Sequence, residues 1–339
     1  MNMKHVEACI EALLERATAE NIAVKVGFRD AVAVELYRGN ATPDTLFDMA
    51  SVSKIIATTS LALMALERGL ITLTDPVSRY FPCPPDKEAI TVFHLLTHTM
   101  GIGHKALNQE GITPENVAER ILEIPSDLPI GSDVRYSCPG FILLGKILEK
   151  VFDAPLDALL QKEVCRPLGM THTGYLPKDK ASAVNSNLTE ALRGTVNDYN
   201  CRHLGGVAGN AGVFSNMRDM TLFARMLLDG GCPILDTSLF QEARKNHTVG
   251  MSESRGLGYL YVDERYKQTG GLFPIGSFGH CGHTGQSVFV HPESGLYAII
   301  LSDATISTVK KHGREKYTEV IAMRAAIHAA VKQDLFGTV

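Results

Sequence analysis

From Ser51 to Arg68 the chain is almost wholly apolar, apart from a stripe formed by Ser51, Lys54 and Thr58 at spacings of three and four. Residues so spaced share one face of a helix, so the segment predicts a buried helix with a single polar edge. Gly69 follows as a stop, because glycine readily takes the left-handed turn that ends a helix. Such a helix needs a large core around it. The 339 residues, 45% of them hydrophobic, supply one and suit one large domain or two intimate ones.

The two ends of the chain read differently from its middle. Val6, Ile10, Leu13, Leu14 and Ala17 recur at helical spacing and predict an amphipathic helix. Ile22, Val24, Val26 and Phe28 then alternate, as do Val32, Val34 and Leu36 after Arg29-Asp30, which reads as a hairpin. Shorter helical patterns fill the middle: Thr91 to His98, Glu115 to Glu123, Pro139 to Phe152, Leu156 to Cys165 and Met217 to Asp229. Strand signals return at Ser287 to Val290 and Leu296 to Leu301, and Val320, Met323, Ile327 and Val331 mark a last helix. This order predicts an α+β fold in which both chain ends build an antiparallel sheet flanked by helices, with a mostly helical domain inserted. The expected division is 1–72 with 250–339 as the sheet domain and 73–249 as the helical one. The cleft between them is the natural place for a small-molecule site.

Charge and cysteine usage narrow the partners. Lys plus Arg (33) nearly balances Asp plus Glu (37), so neither nucleic acid nor an anionic surface is expected as a partner. Seven cysteines without a CxxC spacing suggest neither a disulfide framework nor a zinc ribbon, and no cofactor is implied. No 18 apolar residues run together, so no membrane span is expected. Glu7, Glu11 and Glu15 interrupt the first helix as they would not a secretory signal, and the reading is a cytoplasmic protein.

Three segments could carry chemistry. Ser51-Val52-Ser53-Lys54 places a hydroxyl and an amine on one face at a helix start, where unpaired N–H groups favour an oxyanion. Lys54 is the only charge between Asp48 and Glu67, so burial should leave its amine neutral and able to take the serine proton. A second Ser-x-x-Lys, Ser307 to Lys310, lies in a polar connection with no apolar helix behind it. Tyr136-Ser137-Cys138 stands just before a helical pattern, and His283-Thr284-Gly285 precedes a strand pattern.

In order and spacing these segments resemble the serine β-lactamase and penicillin-binding-protein family, with its Ser-x-x-Lys, Tyr-x-Asn or Ser-x-Asn, and Lys-Thr-Gly motifs. The likeness is to the class C and esterase-like branch. Leu46 to Lys54, Leu95 to Ile102, Tyr136 to Leu144, Pro167 to Thr173 and Leu204 to Asp219 carry it over roughly residues 20 to 305. The resemblance implies an acyl-enzyme without a metal, with Ser51 as nucleophile, Lys54 as base or relay and Tyr136 as second proton carrier. It also implies an oxyanion hole from the N–H groups of Ser51 and Gln286, beside a substrate pocket containing Cys138, His283, Thr284 and Gly285. Cys138 replaces the usual asparagine, and His283 the cation that would hold a substrate carboxylate. An ester or D-amino-acid peptide is therefore expected as substrate ahead of a β-lactam. A rival reading keeps the fold as a non-catalytic ligand-binding or regulatory protein. His94 and His98, four apart, could suggest zinc, but without the glutamate of a zinc helix packing is preferred.

Overall fold

The computed structural model describes residues 3–305 and 318–337, so the second Ser-x-x-Lys at Ser307 lies outside the described residues. Helix α1 (Lys4–Glu15) leads into strands β1 (Ile22–Phe28) and β2 (Ala31–Arg38), joined at Arg29, whose φ is 49°. Strand β3 (Phe47–Asp48) precedes the helical run α2 (Ala50–Glu67), which begins as a tight turn, widens to a π-type turn over Lys54–Thr59 and closes as regular helix. The middle of the chain holds α3 (Val92–Leu96), α4 (Val117–Leu122), α5 (Cys138–Phe152), α6 (Leu156–Leu159) and α7 (Arg166–Leu168). Strand β4 (Gly174–Tyr175), α8 (Tyr199–His203), β5 (Val213–Ser215), α9 (Met217–Leu228) and α10 (Thr237–Ala243) follow. The chain returns through β6 (Leu260–Tyr261), β7 (Phe278–Cys281), β8 (Ser287–His291) and β9 (Leu296–Ser302) to α11 (Thr318–Phe336).

The large sheet runs β2-β1-β9-β8-β7-β6, every neighbouring pair antiparallel, with Ile22 opposite Ser302 and Phe28 opposite Leu296. Both chain ends thus build one sheet, as expected. The unbroken apolar run in β9 follows from burial on both faces, since successive side chains of a strand point to opposite sides. Leu296, Ala298 and Ile300 pack with Val6 and Ile10 of α1 and Met323 and Ile327 of α11, whereas Tyr297, Ile299 and Leu301 join the helical core. A second small sheet, β3-β5-β4, was not foreseen, nor were β6 and α10. Strands of two residues carry too little alternation to announce themselves.

By length and apolarity α2 could pass for a membrane span, but 83% of it is buried inside the protein, and it is the central core helix. Its polar edge docks on backbone: Thr58 Oγ1 donates to Gly209 O (2.6 Å) and Lys54 Nζ to Asn210 O (2.9 Å). A Cβ on Gly209 would sit 2.0 Å from Phe141 O, so only glycine lets this segment reach α5 and α2 together. Gly205, Gly206 and Gly212, all at positive φ, make the surrounding turn.

His328 of α11 gives the fold an acid-sensitive point. Its Nδ1–H donates to Gln268 O (3.2 Å), while its other ring nitrogen has no partner near the Phe273 and Phe289 rings. Burial lowers its pKa to about 4. Because the unfolded chain protonates first, this group's stabilisation is complete above pH 6.5 and is lost as pH falls towards 4, up to about 3 kcal/mol. Urea unfolding at pH 7 and pH 5 should show a smaller acid-induced loss in His328→Phe than in the parent; equal losses would refute the assignment.

Candidate active site

The approach to Ser51 is held from two sides. Ala50 has a φ of 45°, an uncommon conformation for a residue with a side chain. The buried Asp48 carboxylate accepts the Ala50 N–H (2.9 Å) and the Asn197 N–H (2.7 Å), and the Asp48 carbonyl accepts Thr284 Oγ1 (2.7 Å) and Gln286 Nε2 (2.8 Å). Burial raises the Asp48 carboxyl to about 6 despite the two backbone donors. The turn so fixed presents Ser51, half-buried, at the floor of a cavity of about 800 Å³.

Three side chains converge there. Lys54 Nζ lies 3.0 Å from Ser51 Oγ and 3.6 Å from Cys138 Sγ. Tyr136 OH donates to Ser51 Oγ at 2.8 Å across 85 residues of sequence. Tyr136 and Cys138 flank Ser137, the N-cap of α5, whose hydroxyl accepts the Gly140 N–H (3.0 Å) and whose N–H donates to His98 Nδ1 (3.0 Å). The phenol ring rests against the His98 ring at 4.7 Å, with the Arg255 guanidinium 5.4 Å from its centroid. Sequence spacing thus brought Ser51 and Lys54 together, and the fold delivered Tyr136 and Cys138 to them. His98, however, does not share a helix face with His94: α3 ends at Leu96, and His98 sits beyond it at a φ of 58°.

The charge state differs from the expectation of a neutral amine. Burial by itself pushes the Lys54 amine down, but the neighbouring Cys138 and Tyr136 outweigh it, and its pKa lies above the ordinary value. Burial holds the Tyr136 phenol up, only partly offset by Lys54. Burial also pushes the Cys138 thiol up, but Lys54 and the neighbouring His104 outweigh it, and the net direction is down. The resting site is therefore an ammonium and a phenol both directed at Ser51 Oγ. His280 is held neutral, well below its usual range, by burial and then by Arg255.

Part of the sequence-derived pocket lies elsewhere. Thr284 and Gln286 are fully buried with side chains turned to the Asp48 carbonyl, and Gln286 Nε2 also donates to Ser302 O (2.8 Å). Gly285, at a φ of 86°, would place a Cβ 2.1 Å from Ser302 Oγ and serves the turn. These three residues brace the serine loop and do not line the cavity. The cavity wall is formed by the triplet three residues earlier, His280-Cys281-Gly282, at the end of β7, followed by the solvent-accessible His283 at the rim. A Cβ on Gly282 would meet Met49 O at 2.8 Å, so the strand end abuts the residues leading to Ser51. Two His-x-Gly triplets in tandem were visible in the sequence; strand placement decides which one faces the serine. His104, Asp198, Arg255 and Arg324 also line the cavity, from loop and helix positions with no periodic signal.

The chain matches the family model described as Beta-lactamase over residues 6–322. A provisionally named D-alanyl-D-alanine carboxypeptidase of Escherichia coli (strain K12) is 30% identical over 311 residues, 79% of this chain and 71% of that protein. Among solved structures, the octameric penicillin-binding protein homologue from Pyrococcus abyssi has a TM-score of 0.73 at 20% identity, covering 89% of this chain and 74% of that one. EstCE1, described as a hydrolase with promiscuous acyltransferase activity, has a TM-score of 0.72 at 20% identity, covering 96% and 98%. These structural likenesses match the α+β architecture described above.

Proposed function

Because the chain belongs to the beta-lactamase family and is a serine hydrolase, we propose that Ser51 is its acylating nucleophile, acting on small esters and D-amino-acid amides ahead of β-lactams. The observation that carries this reading is the convergence of Lys54 Nζ (3.0 Å) and Tyr136 OH (2.8 Å) on Ser51 Oγ at a cavity floor. Ser51 Oγ attacks the carbonyl as its proton passes to whichever of the two neighbours has given up its own. Tyr136 then hands a proton to the leaving group, and water completes the cycle along the reverse path. The Ser51 N–H and the N–H of His283, the residue after Gly282, serve the oxyanion. This replaces Gln286 in that role.

The substrate preference rests on how the cations of the cavity are engaged. Arg255 is bound through Nε (3.0 Å) and Nη2 (2.6 Å) to Glu253, and Arg324 donates to Gly282 O (2.9 Å) and Gln268 Oε1 (2.6 Å). With His280 neutral and Glu253 offsetting the charge of Arg255, only Arg255 Nη1, unpartnered among the described residues, is left to meet a substrate carboxylate, which therefore gains little here. A cytoplasmic setting is part of the same reading, supported by seven cysteines that all stand as free thiols.

Steady-state assays with p-nitrophenyl butyrate and nitrocefin test the preference. The ester should give kcat/KM at least about tenfold above the β-lactam, the order of one lost ionic contact at about 1.4 kcal/mol per decade. The reverse ranking would show that the arginines or His283 do hold a carboxylate.

A further inference from the structure

Cys138 is the first residue of the 15-residue helix α5 and is left without a task in the reaction above. Its sulfur lies 3.6 Å from Lys54 Nζ, and the His104 imidazole, which lines the same cavity, also favours its anion. It is 3% exposed, yet it lines the cavity that opens above Ser51. A sulfur in contact with an ammonium, near an imidazole and at the positive end of a helix, is stabilised as the anion and is correspondingly nucleophilic. We propose that Cys138 is a modification site, a thiolate that reacts with small hydroperoxides and, once oxidised to the sulfenic acid, switches the hydrolase off.

The surroundings single out this thiol. Lys54 of α2 and His104 of the 98–108 loop favour its anion, while Asp198, just before α8, opposes it. Tyr136, one residue before Ser137, is held towards its phenol form by burial. The other thiols with a resolved direction all move the opposite way: burial raises Cys9, Cys83 and Cys201, and raises Cys165 to about 12. Burial alone therefore makes inert thiols in this fold, and Lys54 and His104 reverse it for Cys138.

The step balances with the peroxide as oxidant. The thiolate sulfur attacks one peroxide oxygen, an S–O bond forms as the O–O bond breaks, and the departing hydroxide takes a proton to leave as water. Two equivalents of a thiol reductant restore the cysteine, giving one water and one disulfide of the reductant. The added oxygen is carried by a sulfur already in contact with the Lys54 ammonium, so it accepts from that group and holds the proton that acylation needs moved. The effect on activity rests on the roles given above to Ser51 and Lys54; the reactivity of the thiol does not.

The full chain treated with hydrogen peroxide at pH 6, where an ordinary thiol of pKa about 8.5 is less than about 1% ionised, tests this. Peptide mass spectrometry follows oxidation at each cysteine while p-nitrophenyl butyrate hydrolysis is followed in parallel. Cys138 should oxidise at least about tenfold faster than the exposed Cys232, with activity falling in step and returning on treatment with dithiothreitol. Cys138→Ser, compared with its own untreated rate, should be insensitive to peroxide. Oxidation of Cys232 ahead of Cys138, or full activity with Cys138 oxidised, would overturn the proposal. Failure of the hydrolase reading would appear separately, as no ester hydrolysis in the untreated protein, and the mass readout would still decide the thiol.

Discussion

Ser51→Ala is expected to abolish covalent labelling by a fluorophosphonate probe and to lower kcat/KM on p-nitrophenyl esters by at least about 10⁴-fold. Ser51 Oγ is the atom on which the Lys54 amine (3.0 Å) and the Tyr136 phenol (2.8 Å) both converge. Deleting it leaves the two proton carriers with nothing to activate, so only cavity binding and the oxyanion donors remain. The side chain is half-buried, and its loop is held by Asp48, Thr284 and Gln286 rather than by its own hydroxyl. The variant should therefore fold as the parent does, and its thermal midpoint should move little. Intact-mass measurement after exposure to the probe gives the decisive readout: a variant that still gains the adduct has its nucleophile elsewhere.

Lys54 is the second large effect, and two replacements separate its possible roles. Lys54→Met removes the charge and the donor, and Lys54→Arg keeps both but carries a guanidinium that does not give up its proton. If the lysine only braced the site through Asn210 O (2.9 Å), arginine would restore activity. As a proton carrier it is not rescued, and both variants should lose about 10²- to 10⁴-fold in kcat. The pH dependence follows from the raised pKa of the amine. Its base form is scarce at neutral pH and grows as pH rises, so wild-type activity should climb on an alkaline limb that Lys54→Arg lacks. Wild-type rates in Lys54→Arg, or a wild-type profile that falls above neutrality, would remove Lys54 from the proton path.

Corrections to the sequence reading fall where long-range contacts decide. Periodicity located α1, β1, β2, α5, α9, β8 and β9 within a few residues, because each is long enough for its apolar spacing to repeat. The bounds of β7 were not legible: Phe278–Cys281 is four residues with a glycine and a histidine, too few for a spacing to repeat. Without them the substrate pocket was assigned to His283-Thr284-Gly285, whereas the fold ends the strand at Cys281 and places His280-Cys281-Gly282 against the serine loop. The neutral lysine was misjudged for a related reason. Burial is legible in an apolar run, whereas the thiol of Cys138, 84 residues away, is not.

By itself the sequence determined the longer periodic elements and the pairing of Ser51 with Lys54, because a spacing of three on a helix fixes which side chains are neighbours. Only the tertiary structure decided which histidine triplet meets the serine, what charge Lys54 carries and which cysteine it activates. Those properties arise between groups brought together by folding, where a few ångströms of separation and the loss of water set the energies.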